Sequence, residues 1–477
     1  MNRFLKYVRN AHPRLFRAMF PMLVGYYGDD TFRLLSKFIT HDHWDCDNDA
    51  ETVLALLFLR GKFDVLPKDV VKHLKAIEIA SRDSLTGDAL LQAVYMNRNF
   101  QVALARYRRF IVQEPGKVNL GDYVKIIADN NVAVMQTDEE LRLFTRQRIA
   151  RAAAECVEGM VWRGAPLYHT AEGLSGDDVV RIIAEECDKA PFPMVLELCA
   201  LRHEARVPIF HDRAEKVADL CIRFPDHVGY MDFAADETSF HSREDYRWYL
   251  IDAVRAWAVR LAMGRPLVID THMGETVAVG DTERQMLDKI EALLRKIAFD
   301  FVKFASGGSD GYVGLVDGLE SIFGSFSESE KPRFEAAEGE VRRLISERGF
   351  AVEVNGGKAM FFSVFLGHGI NDLVSVRPRS VCVSSNMYLL PEIGSVDNHS
   401  IGQLFREGKP ITLGPDGLDP LGIVDASQDY ALLWHSKHAF RLPDFKRIAF
   451  TAVNTFNASP EKVAKARAAA VRFYGDE

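Results

Sequence analysis

Residues 34–43 read Leu34-Leu35-Ser36-Lys37-Phe38-Ile39-Thr40-His41-Asp42-His43, a short apolar run that ends in two histidines. Alternate residues of an extended chain project to the same face, so His41 and His43 can address one metal ion from the end of a strand. The arrangement recurs downstream. β-Type runs at 159–162, 194–200, 228–233, 266–270, 364–366, 380–383 and 410–413 alternate with stretches such as 177–187, 213–221 and 244–263, whose apolar residues fall at helical spacing. Together with 36–39 these make eight strands joined by crossover helices. The pattern predicts a parallel sheet closed into an α/β fold of the (β/α)8 TIM-barrel type. In such a barrel the reacting groups stand at the C-terminal strand ends, and each polar cluster here directly follows a β-type run.

The bulk properties agree with one large globular unit. Of 477 residues, 48% are hydrophobic and 26% charged, the balance of a soluble protein with a sizeable core. A formal charge of -8 provides no electrostatic footprint for a nucleic-acid duplex, and the local cluster Arg106-Tyr107-Arg108-Arg109 reads as a solvated helix face. The six cysteines are scattered without short pair spacings, which is the usage of reduced thiols in a cytoplasmic protein. No signal-like apolar core develops near the N-terminus, and no apolar run is long enough to span a bilayer. We therefore expect a single barrel domain over 1–477 with an N-terminal helical extension at about 1–33. A helical insertion at about 282–361 is expected from two amphipathic patterns, 282–304 and 330–347, around the turn Ser306-Gly307-Gly308. That insertion could serve as a lid, a specificity element or a homo-oligomer contact.

The polar clusters supply a hydrolytic metal site. His41, His43, His272 and Asp416 offer three imidazoles and a carboxylate for one divalent ion, the ligand types suited to a catalytic Zn2+, one per chain. Glu275 follows His272 closely enough to face the same ion and is the candidate proton shuttle. His368, in Leu366-Gly367-His368-Gly369, is placed to orient an attacking water. Asp419 lies three residues past Asp416, so one carboxylate can hold metal while the other accepts a hydrogen bond from substrate, and Asp45 can reach a substrate hydroxyl.

At these residues the chain resembles the adenosine deaminase family of the amidohydrolase superfamily, whose members carry a His-x-His pair, a His-Ala-Gly-Glu segment, a Gly-His-Gly turn and an Asp-Asp-Pro turn in that order. Their counterparts are Thr40-His41-Asp42-His43-Trp44-Asp45, Thr271-His272-Met273-Gly274-Glu275, Leu366-Gly367-His368-Gly369 and Pro415-Asp416-Gly417-Leu418-Asp419-Pro420. Lesser echoes are Leu198 to His203, Met231 to Glu237 and Val381 to Asn386. The resemblance implies zinc-dependent deamination at C6 of an adenine ring: activated water attacks, Glu275 protonates the ring nitrogen, and ammonia leaves.

Three departures stand out. The Asp-Asp-Pro turn is split by Gly417-Leu418. Ala235 takes the place of a family glycine whose backbone approaches the purine edge. The interval from Glu275 to His368 is far longer than a single helix needs. The expected ligand is a purine nucleoside or nucleotide: adenosine, deoxyadenosine or a 5′-monophosphate. Asp45, Asp47 and Asp49 near the ribose end would repel a phosphate, whereas Arg295, Lys296 or Lys303 of the insertion could receive one. A metal-containing nucleotide-binding scaffold or sensor with lost or altered turnover, as in a defence module, is the competing reading; the retained Glu275 counts against it.

Overall fold

A computed structural model describes residues 3–79, 85, 87–112, 120–201, 210–235, 243–273, 315–348, 362–366, 379–390, 393–418, 422–423 and 425–476. Eight strands alternate with helices: β1 Lys37–Ile39, β2 Val157–Gly164, β3 Met194–Leu201, β4 Val228–Ala234, β5 Val268–Met273, β6 Phe362–Leu366, β7 Arg379–Val381 and β8 Ile411–Leu413. Every pairing between neighbours is parallel, and Ile39 opposite Leu413 closes the barrel between β1 and β8. The predicted TIM barrel is thus borne out, and each of the eight strands falls on one of the runs read from the sequence. The reason is local. Stretches such as Met160-Val161-Trp162 and Met194-Val195-Leu196 are buried against both the barrel interior and the helix layer, and strands covered on both faces are built from continuous apolar runs.

The connections vary in length. Between β1 and β2 the described residues form six α-helices, Ala50–Leu59, Lys68–Leu74, Gly87–Tyr95, Arg98–Ile111, Leu120–Asn130 and Asp138–Ala154, an excursion that the strand-and-crossover pattern did not reveal. Its last helix begins at a defined cap: the Thr137 hydroxyl accepts from the Glu140 N–H, and three acidic residues occupy the first turn. Later crossovers are Gly176–Cys187, Phe210–Arg223 and Arg243–Ala262.

Within the stretch read as an insertion, the helices Leu315–Phe323 and Lys331–Arg348 are described, whereas 282–314, including the Ser306-Gly307-Gly308 turn, and 349–361 lie outside the described residues. The helix Lys331–Arg348 packs along Arg243–Ala262. Arg333 enters that seam and pairs with Asp252 at 3.0 Å and Glu215 at 2.9 Å. This helix therefore stands in the ring around the barrel, in the crossover from β5 to β6.

The N-terminal extension closes the end of the barrel where the strands begin. Helices Arg3–Ala11 and Pro13–Tyr27 lie against the C-terminal helix Pro460–Tyr474. Phe16 meets Phe473 with ring centroids 6.0 Å apart, Phe20 meets Trp434 at 5.5 Å, and the Arg9 guanidinium lies over Phe473. Below β1 the fully buried Lys37 Nζ donates to the carbonyls of Arg33, Leu35 and Glu155 at 3.3, 3.1 and 2.5 Å. Burial draws its pKa down to about 8. Among the described residues, no helix is long and apolar enough to cross a membrane.

Candidate metal centre

The site is assembled where β1 and β8 run on past their last paired residues. Asp416 N–H donates to the His41 carbonyl at 3.2 Å, and His43 N–H donates to the Asp416 carbonyl at 2.9 Å. On the other side Arg163 N–H donates to the Asp42 carbonyl and Trp44 N–H to the Arg163 carbonyl, both at 2.8 Å. The histidine pair is thereby fixed between β8 and β2. So close an approach requires Gly414, because a Cβ there would lie 2.1 Å from the His41 carbonyl oxygen. Asp416 adopts a left-handed backbone, φ 70°, a conformation that aspartate tolerates better than most residues and that turns its carboxylate to the histidines.

Four donor atoms converge. The Nε2 atoms of His41, His43 and His272 form a triangle with sides of 3.1, 3.2 and 3.1 Å. Asp416 Oδ1 lies 3.2 Å from His41 Nε2 and 3.5 Å from His43 Nε2. A tetrahedral zinc with ligand bonds of about 2.0–2.1 Å places its donor atoms about 3.3 Å apart, so the spacing fits such an ion without rearrangement. Three neutral imidazole nitrogens facing one point cannot all hydrogen-bond to one another, whereas a cation satisfies every lone pair. Electrostatics agrees: burial, assisted by Arg163 and the neighbouring imidazoles, holds His41 and His43 well below the ordinary histidine pKa, in the neutral form that binds metal.

Buried polar neighbours orient these four side chains. His272 Nδ1 lies 2.8 Å from Asp232 Oδ2, a neighbour that favours the Nδ1–H tautomer and so leaves the Nε2 lone pair towards the centre. Although burial pushes the Asp232 carboxyl up, His272 and Arg163 outweigh it and keep the group ionised. Arg163, itself buried, lies 3.0 Å from Glu197, 3.4 Å from Asp270 and 3.8 Å from Asp232. Those three carboxylates are close enough together to hold an ion, but the guanidinium already provides their cation. Asp416 Oδ2 accepts from the Ser385 hydroxyl at 2.5 Å. Sequence reasoning marked the segments around Asp232 and Ser385 without giving these residues a role, and it missed Arg163. The available signal was a charged residue within an otherwise apolar strand run.

The remaining candidates fall differently. Asp45 turns both oxygens to the protein: Oδ1 lies 2.6 Å from His169 Nε2, and Oδ2 accepts from Ala165 N–H at 3.1 Å. His169 is in turn 2.9 Å from the Met135 carbonyl. Ala235, just past β4, has φ 77°, a backbone state suited to the glycine it was read as replacing. Asp47 pairs with Arg148, and Asp49 caps the helix Ala50–Leu59 by accepting from Thr52 N–H at 3.0 Å. Glu275, His368 and Asp419 lie outside the described residues, as do Arg295, Lys296 and Lys303.

A closed parallel barrel bearing three imidazoles and a carboxylate at its strand ends defines the class: an α/β barrel with a candidate metal centre. The family model for adenosine deaminase matches residues 97–292, an interval that includes His272 and Glu275. Among solved structures, the chain is similar to arabidopsis ADAL complexed with IMP (14% identity, 93% of this chain and 98% of that one, TM-score 0.57). It is also similar to adenine deaminase from Arthrobacter aurescens (15% identity, 92% and 99%, TM-score 0.55) and to an amidohydrolase from Burkholderia ambifaria with bound Zn (15% identity, 94% and 92%, TM-score 0.51). None of the curated proteins matches the chain. The resemblance read from the motifs is borne out over 97–292, where the chain is similar to the adenosine deaminase family, and the solved structures share its barrel fold.

Proposed function

We propose that the chain catalyses zinc-dependent hydrolytic deamination of an adenine nucleoside or its 5′-monophosphate, giving the inosine-type product and ammonia. The observation that carries this reading is the quartet His41, His43, His272 and Asp416, whose donor atoms stand 3.1–3.5 Å apart around one point. The ion they would hold acidifies a water and polarises the reacting centre. Every other task falls to this chain's residues. Asp232 keeps the His272 proton on Nδ1, away from the metal, and Ser385 directs one oxygen of Asp416 so that the other faces the histidines. Glu275 would carry a proton from the attacking water to the ring nitrogen and on towards the departing ammonia, with His368 steadying the water. Asp419 and the backbone at Ala235 would meet the purine.

The acidic residues past β1 do not weigh against a phosphate. Asp45 faces His169, Asp47 faces Arg148, and Asp49 is used as a helix cap, so none is an uncompensated charge. The crystal partners of the similar structures, IMP and GMP for ADAL, support including 5′-monophosphates among the substrates. The test is loss of adenine ultraviolet absorbance by the zinc-loaded protein with adenosine, deoxyadenosine, AMP and dAMP, alongside metal content. Turnover of at least one, with one zinc per chain, is expected. No turnover of any of the four by fully loaded protein would overturn the proposal.

A further inference from the structure

We infer that Arg148 is a positioning residue for the first two metal ligands, acting through the carboxylate of Asp42. The inference rests on the metal-centre reading above and adds to it a device in the helix layer. Asp42 stands between His41 and His43, so strand alternation sends its side chain away from theirs, outwards from the barrel. It is fully buried there. Arg148, on the helix Asp138–Ala154 that leads back to β2, has 1% of its side chain exposed and donates from Nε to Asp42 Oδ2 at 2.8 Å. The same guanidinium contacts the carboxylate of Asp47, which is also buried. One planar cation thus holds both ends of the segment 42–47.

The geometry leaves that segment little freedom. Its backbone is held on one side by Asp416 and on the other by Arg163, through hydrogen bonds of 2.8–3.2 Å. The Asp42 side chain is the tie on the remaining, outward side. A buried ion pair adds little net stability over well-packed apolar residues of the same volume; what a guanidinium supplies is direction, because its fork accepts carboxylates only at set angles. Removing it leaves two carboxylates, Asp42 and Asp47, side by side in a site shielded from water. The tie on the outward side is then lost, and the backbone that carries His41 and His43 is free to shift. Ligand nitrogens matched to a tetrahedral ion tolerate displacements of only a few tenths of an ångström.

The test uses the full chain as Arg148→Met, Arg148→Lys and Asp42→Asn, with Arg333→Met as a control that breaks a buried ion pair away from the centre. Thermal melting of the metal-free proteins, Co2+ and Zn2+ affinity by chelator competition, and the visible absorption of the cobalt form are measured for each. We expect Arg148→Met to bind metal about 10- to 100-fold more weakly with an altered cobalt spectrum. Arg148→Lys and Asp42→Asn should fall between it and wild type, and Arg333→Met should keep wild-type affinity even if its melting temperature drops. If Arg148→Met does not fold, the two milder variants decide. Wild-type affinity and spectrum in those variants overturn the inference, as does a loss of affinity in Arg333→Met that matches its loss of stability to the same degree. A wild type that binds cobalt tetrahedrally but deaminates no purine would refute the proposed function and leave this inference standing; a wild type that binds no metal overturns both.

Discussion

Replacing Asp232 by asparagine should weaken metal binding while leaving all four ligands in place. In the native site His272 Nδ1 lies 2.8 Å from Asp232 Oδ2, a separation at which the carboxylate favours the proton on Nδ1 and leaves the Nε2 lone pair for the ion. An asparagine is nearly the same shape but can present its NH2 group to Nδ1. The imidazole proton then moves to Nε2, into the centre of a triangle whose sides are 3.1–3.2 Å, and must be displaced before a metal can bind. The substitution also removes the one carboxylate beside Arg163 whose pKa is held below the ordinary range, so the electrostatic support for a bound cation falls. Losing such a partner typically costs about 10- to 100-fold in metal affinity, roughly 1.4–2.8 kcal/mol. Zinc affinity is measured by competition with a chromophoric chelator, with circular dichroism to show that the fold is retained. An affinity within about threefold of wild type would show that Asp232 does not set the His272 tautomer, and the assignment of that residue would fail.

Glu275→Gln should retain stoichiometric zinc and native melting while losing about 10²–10⁴-fold in turnover, since an amide cannot shuttle a proton; steady-state kinetics beside metal analysis decides, and unchanged kcat removes Glu275 from the mechanism. Gly414→Ala places a methyl 2.1 Å from the His41 carbonyl oxygen, where backbone must yield, and we expect zinc content below one per chain together with a lower melting temperature. His41→Ala should lower the zinc content itself; full stoichiometry would refute its role as a ligand. Lys37 tests the opposite end of the barrel. Its folded pKa of about 8 lies below the ordinary 10.5, so the unfolded chain binds the proton more tightly. The penalty is fully present below pH 8 and is relieved as pH rises towards 10.5, by about 3 kcal/mol in all. Denaturant unfolding of wild type and Lys37→Met between pH 7.5 and 10 should therefore show a rise with pH in wild type that the variant lacks.

The parts of this protein that were legible in its sequence are those whose cause is local. A strand covered on both faces must be apolar throughout, so eight such runs separated by amphipathic stretches announce the barrel. Side chains that share a face of an extended chain stand two residues apart, so His41 and His43 announce the candidate centre. What escaped was set by partners distant in the chain. Asp45, Asp47 and Asp49 read together as an acidic rim, yet the fold gives them three different partners: His169, Arg148 and the N–H of Thr52. Nothing in the spacing of three aspartates tells a free carboxylate from a paired one, because the pairing side chains arrive from about 100 or more positions away in two of the three cases. Arg148 and Arg163 illustrate the converse. Each is a charged residue in a segment that packs against the barrel, and desolvating a guanidinium is so costly that its place there implies carboxylates waiting for it. A buried arginine predicted from the apolar pattern around it therefore points to a polar network even before the partners are known. Here both such residues lead back to the same point, Arg163 through Asp232 to His272, and Arg148 through Asp42 to His41 and His43. One cation in strand β2 and one in the helix layer thus each connect, through a carboxylate, to the segments that carry the candidate ligands.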